Sequence, residues 1–291
     1  MSNAQQSRPD WEQFLSRKSF IELSAAKRAS SILDEGTGRV LLGPFDRLTS
    51  PWLPQQGIVT QADDGVVLLK GKIDGKPAII ASIESAFQGG SMGEVAGAKI
   101  AGALEQALKD HENGIPIQPV ILFETGGVRL QEANLGLAVI AEIHAAIVAL
   151  RSHVPVVGVV AGMVGCFGGM SLAASLCSHL IVTRQGRIGM NGPEVIEQEA
   201  GIQELDASDK KLIWSLIGGE QRYAIGQADT LVEDDADAIA KAVRAAFRQG
   251  VVEQPRSACV EEYLAKLEAF DPAGPAEPLA LRAAWGKGET K

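Results

Sequence analysis

The chain has 291 residues, 46% of them hydrophobic and 22% charged, the balance of a globular protein with room for a substantial core. Its formal net charge of −9 argues against nucleic acid or anionic lipid as the main partner. Three cysteines (Cys166, Cys177 and Cys259) fit neither a disulfide framework nor a CxxC metal site, and they point to a reducing cytoplasm.

The opening "MSNAQQSRPDWEQF" lacks the apolar core of a signal peptide. Residues 1–18 are expected to form a flexible leader, 19–250 the main domain, and 251–291 a C-terminal helix and tail. The turn signals "DDG" at 63–65 and "DGK" at 74–76 predict two hairpins joining "GIVTQ", "VVLLKGKI" and "PAIIASIES". Residues 93–111 carry Val95, Ile100, Leu104 and Leu108 at helical spacing, with Asn113-Gly114 as a stop. "PVILFE" (119–124) reads as a buried strand interrupted by "TGGVR", and 130–152 as a long, mostly apolar helix. A strand at 154–160, a glycine loop, a helix at 169–178 and a strand at 179–183 follow. Two or three short helices fill 193–226, and further helices are expected at 235–249 and 258–269, before the linker-like "DPAGPAEPL". The alternation predicts an α/β fold.

Residues 154–183 contain no Lys, Arg, Asp or Glu, and ~20 apolar residues suffice to cross a bilayer. Pro155 and the five glycines between 158 and 169 oppose a continuous span. The cluster "VPVVGVV" is strand-like and "SLAASL" helix-like, so a strand, a loop and a buried helix account for the run without a membrane.

Twice an apolar strand ends in a Gly-Gly pair that opens a helix, in "FETGGVRLQEA" and in "GCFGGMSLAAS". Glycine lets backbone N–H groups approach a ligand closely, and the first N–H groups of a helix have no internal partners. Two such ends facing each other would make an oxyanion hole, each donor worth ~3–4 kcal/mol to a developing oxyanion. Close packing of helix on strand is the competing reading for either loop alone.

The segments "FQGGSMGEVAGAK" (87–99), "ETGGVRLQEA" (124–133), "GMVGCFGGMSLAAS" (162–175) and "GRIGMNGPEVIEQ" (186–198) together resemble the crotonase fold, and more closely its carboxyltransferase branch. The four motifs stand in that family's order and spacing, over roughly residues 20–250. The resemblance implies a ClpP/crotonase-like α/β fold of the carboxyltransferase N-domain type. It also implies a thioester carbonyl held by one N–H from each loop: Val128, with Gly127 beside it, and Gly168, with Gly169 beside it.

Ser171 occupies the position where enoyl-CoA hydratases carry a catalytic Glu, and Glu194 alone cannot run their paired acid/base chemistry. Ser171 lacks a G-x-S-x-G elbow and reads as a helix cap. The carboxyltransferase beta subunit of bacterial acetyl-CoA carboxylase resembles the chain in these motifs but carries a four-cysteine zinc finger before its core. Here no cysteine precedes Cys166, and no metal site is expected. The stretch "SFIELSAAKRASSILDEGTGRVLLGPFDRLTSPWLPQQGIV" (19–59) resembles the beta subunits of biotin-independent malonate decarboxylases. That resemblance implies conversion of a malonyl thioester to an acetyl thioester and carbon dioxide. The acyl group is carried on the CoA-like prosthetic group of an acyl carrier protein subunit, with no tightly bound cofactor. A homologous gamma subunit would hold the departing carboxylate. The alternatives are a carboxyltransferase beta-type subunit of a biotin-dependent acyl-CoA carboxylase and, from another class, a non-catalytic scaffold that binds a thioester or pairs with an active homologue.

Other residues have modest expectations. Gly126 lies in the first loop beside the donors. Arg129 and Glu132 are expected to brace that loop by ion pairing, with substrate contact by Arg129 as the alternative. Ser91 and Lys99 either touch the carrier's phosphopantetheine-like arm or serve the surface. Cys166 reads as small-residue packing or a substrate contact, and His144 as a core residue. Glu194 could orient water or donate a proton. Basic residues within 16–29, or Arg184 with Arg187, could dock an acidic carrier.

Overall fold

The computed structural model describes residues 17–59, 64–271 and 277–286. Its backbone is a seven-stranded sheet in the order β1-β2-β3-β4-β5-β7-β9. The strands are β1 (Arg39–Leu42), β2 (Val66–Ile73), β3 (Lys76–Ile83), β4 (Gln118–Phe123), β5 (Val157–Val160), β7 (His179–Thr183) and β9 (Thr230–Val232). The first three strands are antiparallel, and every pairing from β3 onward is parallel. Two further short strands, β6 (Cys166–Phe167) and β8 (Ile188–Gly189), form a parallel pair of their own.

Parallel strands buried on both faces must be apolar on both faces, and β4 shows this residue by residue. Ile121 and Phe123 enter one core with the helices α2 (Glu94–Glu112), α3 (Asn134–Leu150) and α4 (Gly169–Leu176). Val120 and Leu122 enter a second core with α1 (Ala25–Ile32) and α8 (Ala236–Gln249). Three short helices, α5 (Pro193–Ala200), α6 (Lys210–Ile217) and α7 (Gly219–Ala224), precede β9, and α9 (Val260–Glu268) and α10 (Pro278–Trp285) follow α8. Helices α2 and α3 approach closely because Gly97 has no side chain. A Cβ there would collide with the side chain of Val139.

The hairpin at 74–75 forms as its sequence predicts, with Asp74 and Gly75 both at positive φ (50° and 75°), the pattern of a type I′ turn. The hairpin expected at 63–65 falls largely on residues outside those described. Ile58 and Val59 are not in a strand, the outer neighbour of β2 is β1, and residues 60–63 lie outside the described residues. The helix expected over 130–152 is also divided. Leu130–Glu132 is a separate 3-10 turn, Ala133 turns the chain at φ 46°, and α3 starts at Asn134. The run 154–183 resolves into β5, a loop, β6, α4 and β7, and among the described residues no helix is long and apolar enough to cross a membrane.

Of the expected leader, residues 1–16 lie outside the described residues, but 17 and 18 are tied down. Arg17 Nε donates to the carbonyl of Asp234 (2.6 Å), and the Lys18 N–H donates to Asp235 (3.1 Å). The C-terminal stretch is similarly anchored. Arg256 donates to the carbonyls of Ser175 and Cys177, and Arg282 to Gln221.

Candidate active site

Phe123 and Val160, the last residues of β4 and β5, are paired neighbours in the parallel ladder, so the segments that follow leave the sheet side by side. These segments are the two glycine loops. The Thr125 N–H donates to the Gly165 carbonyl (2.8 Å), and the Phe167 N–H returns a bond to the Thr125 carbonyl (3.2 Å). A Cβ built on Gly168 would lie 3.7 Å from the Cα of Gly127, so the two glycine pairs meet in space.

The N–H groups divide into engaged and open ones. Gly126 donates to the Gly89 carbonyl (2.9 Å), and Gly127 to the hydroxyl of Thr125 (3.1 Å). Gly168 donates to the Met190 carbonyl (2.9 Å). Among the described residues the N–H groups of Val128 and Gly169 have no acceptor. In the second loop the Gly168 N–H is engaged, and the open N–H is that of Gly169, one residue on. The positive φ of Gly127 (107°) and Gly168 (60°) sets these orientations, and side chains rarely adopt such values. Two open donors from adjacent loops are suited to an oxygen that gains negative charge.

Glu124, only 3% exposed, ties the two loops together. It leaves the end of β4, accepts the Val164 N–H of the second loop (2.9 Å), and pairs with Arg28 of α1 (3.0 Å). Gly162 packs so closely on its carboxylate that any Cβ there would overlap it. Burial raises the Glu124 carboxyl above its usual range, while the Arg28 charge opposes the rise. Arg28 also donates to the carbonyls of Phe20 (3.1 Å) and Ile21 (2.5 Å). Sequence reasoning missed this pair. Its available signal was an acidic residue at the end of an apolar strand, directly before a Gly-Gly turn.

Arg129 braces the first loop as expected. It is 4% exposed, pairs with Glu132 (2.9 Å), donates to the Ser91 carbonyl (2.9 Å), and lies 5.2 Å from the Phe87 ring centroid. The Ser91 hydroxyl accepts from Arg129 Nε (3.3 Å). Lys99 does not reach a surface. It is 4% exposed and bound to Asp64 (2.8 Å) and to the carbonyls of Gly43 and Val66, which removes it as a contact for a carrier arm. Cys166 is fully buried, and desolvation pushes its thiol well up, so it packs rather than faces a substrate. Glu194 is 65% exposed in the first turn of α5, 3.8 Å from Lys210. His144 is half-buried, and its Nε2 is 2.7 Å from the Gly169 carbonyl, which holds the second loop from behind.

Of the basic residues expected to dock a carrier, Arg28 is buried and Arg17 is bound to Asp234. Arg187 lies between the rings of Phe167 and Trp214. Arg184 stays exposed, 3.9 Å from Glu233.

The Ser171 hydroxyl donates to the Gly168 carbonyl (2.7 Å), a bond that holds the helix start rather than activating a nucleophile. Ser171→Ala is expected to cost about 1 kcal/mol in urea unfolding and to leave turnover within a few-fold. Loss of all turnover in a folded variant would restore the nucleophile reading.

The sequence pattern of the carboxyl transferase domain matches residues 23–282. The chain belongs to the carboxyl transferase domain family. Its α/β sheet, with paired glycine loops at neighbouring strand ends, is the crotonase-like fold expected from the sequence. Within this family it is 44% identical, over 76% of its length and 72% of the other, to the malonyl-S-ACP:biotin-protein carboxyltransferase MADC of Malonomonas rubra. It is 56% identical to a chain of a Pseudomonas malonate decarboxylase hetero-tetramer solved in complex with malonate, covering 95% of this chain and 100% of that one, at a TM-score of 0.89. A chain of the Pseudomonas malonate decarboxylase MdcD-MdcE hetero-dimer matches at 52% identity, 88% and 98% coverage, and a TM-score of 0.75.

Proposed function

We propose that this carboxyl transferase domain is the thioester-holding subunit of a biotin-independent malonate decarboxylase in the cytoplasm. The observation that carries the reading is the pair of open N–H groups, Val128 and Gly169, on glycine loops that meet in space. The malonyl thioester carbonyl accepts from both. Gly127 and Gly168 set their direction, Gly126 and Arg129 with Ser91 hold the first loop, and Cys166 packs beneath the second. Loss of carbon dioxide breaks the bond between the carboxylate carbon and the α-carbon, and its electron pair becomes an enolate whose charge sits mainly on the thioester oxygen. Fixed N–H donors stabilise that charge more in the transition state than in the ground state. Protonation of the α-carbon then gives the acetyl thioester. The thioester is the electron sink, so the reading assigns no tightly bound cofactor to this subunit. Its acyl group arrives on the CoA-like arm of an acyl carrier protein, and a homologous gamma subunit completes the site around the carboxylate. The hetero-oligomers among the relatives support a partner subunit.

A second reading is favoured by the MADC likeness: transfer of the carboxyl group to a biotin-bearing protein. The test mixes the purified chain with malonyl-CoA, with and without the gamma partner, and follows acetyl-CoA by mass spectrometry. Acetyl-CoA formed only with the partner is the expected result. Carboxylation of added biotin by the same pair would favour the second reading. A complex that forms and does neither, even with malonyl carrier protein, would leave a scaffold.

A further inference from the structure

We infer that the cleft behind the second glycine loop binds a small organic carboxylate through the guanidinium of Arg222. The inference does not depend on decarboxylase activity, and its test needs none. The cleft encloses about 510 Å3, with Leu172, Leu180, Ile188 and Met190 among its apolar walls and Arg222 and Tyr263 among its polar ones. Met190 also carries the carbonyl that takes the Gly168 N–H, so the cleft and the oxyanion loop share a residue.

The charge balance of the cleft is incomplete. Arg256, the other arginine on its wall, is fully used: it pairs with Asp229 and donates to the carbonyls of Ser175 and Cys177. Arg222 has no such counter-ion among the described residues. Its Nε donates to the Ile188 carbonyl (2.9 Å) and its Nη1 to the side-chain oxygen of Gln227 (2.5 Å). These two bonds fix the guanidinium plane and leave Nη2 without an acceptor. Burial alone pushes the group down to about 10, with no carboxylate opposing the shift. The group is half-buried, and a half-buried cation gains from a partner. The partner that the cleft would supply is an anion that reaches Nη2. Tyr263 also lines the cleft and brings a hydroxyl to it. One open cation suits a single negative charge, and the apolar walls suit a short hydrocarbon body.

Such a carboxylate could belong to a free acid or to an acidic side chain of a bound partner subunit, and the experiment separates the two. Acetate and butyrate are titrated calorimetrically into the full-length chain at constant ionic strength, with chloride as the control. In parallel, phenylglyoxal labelling of individual arginines is mapped by mass spectrometry. Butyrate is expected to bind about tenfold tighter than acetate, because it buries two more methylene groups. It should slow labelling of Arg222 and leave the exposed Arg184 unaffected. Arg222→Gln should weaken butyrate at least tenfold, and Arg222→Lys should recover part of the loss. If Arg222→Gln does not fold, protection of Arg222 in the unaltered chain decides the matter. In the complex with the partner, protection of Arg222 without added acid, together with loss of butyrate binding, assigns the carboxylate to the partner. Butyrate binding unchanged in folded Arg222→Gln, or no protection of Arg222 in either form, overturns the inference.

Discussion

Gly168→Val is expected to lower turnover by about 10²–10³-fold, the loss of one oxyanion donor, while binding to the partner subunit persists. Gly168 stands at φ 60° and ψ −145°, a region essentially reserved for glycine. Space is not the obstacle, since the nearest atom to an added Cβ is the Gly127 Cα at 3.7 Å. The backbone is the obstacle. Moving a β-branched residue out of this region rotates the peptide that carries the Gly169 N–H, so the donor turns away from the thioester oxygen. The measurement is kcat on malonyl thioester beside a pull-down or sedimentation assay of the complex. Unchanged kcat in an intact complex would mean that the second loop holds no oxyanion.

Arg28→Met is expected to cost about 3–5 kcal/mol at neutral pH, the penalty for leaving one partner of a buried pair uncompensated. The penalty should shrink as the pH falls toward 5. Burial already raises the Glu124 carboxyl, and the Arg28 charge restrains that rise, so removing Arg28 raises it further. A carboxyl raised in the folded state contributes stability that is whole below its unfolded value and is lost as pH climbs through the folded value. In the variant the climb ends with an ionised, buried and unpaired Glu124. At low pH the group is neutral and tolerates the missing cation, although the carbonyls of Phe20 and Ile21 still lose their donors. Urea unfolding at two pH values measures the difference. An equal cost at both would show that the pair is not what fixes the loop.

Sequence pattern was sufficient where one residue type settles the geometry. Strand β7 was placed at its observed bounds by the apolar run "HLIVT", and α2 within one residue of its bounds by the 3.6-residue spacing of its apolar positions. The 74–75 hairpin followed from Asp-Gly, which tolerates positive φ at both central positions. β1 escaped notice because three of its four residues are exposed, so it shows no alternation. The break before α3 escaped because Ala133 at positive φ carries no sign of it in its identity. At the site, the glycines marked both loops. Which N–H stays open in the second loop depends on a backbone angle and on the Met190 carbonyl, neither of them written in residue type. The Glu124–Arg28 brace joins residues 96 positions apart, and no local pattern reports such a contact.

The open donors of this site belong to the main chain, and that has a consequence for how the protein reads out in mutational surveys. An alanine scan removes no peptide N–H, so Val128 will score as neutral although in the proposed reading its amide is half of the hole. The scan will instead highlight Gly127 and Gly168, whose positive φ resists a side chain, together with Glu124, Arg28, Arg129 and Glu132, whose side chains brace the loops. For the same reason, drift in the surrounding side chains can change which acyl group is accepted without disturbing the electrostatics that drive the reaction. In that reading the chemistry rests on the backbone, and selectivity rests on the side chains around it.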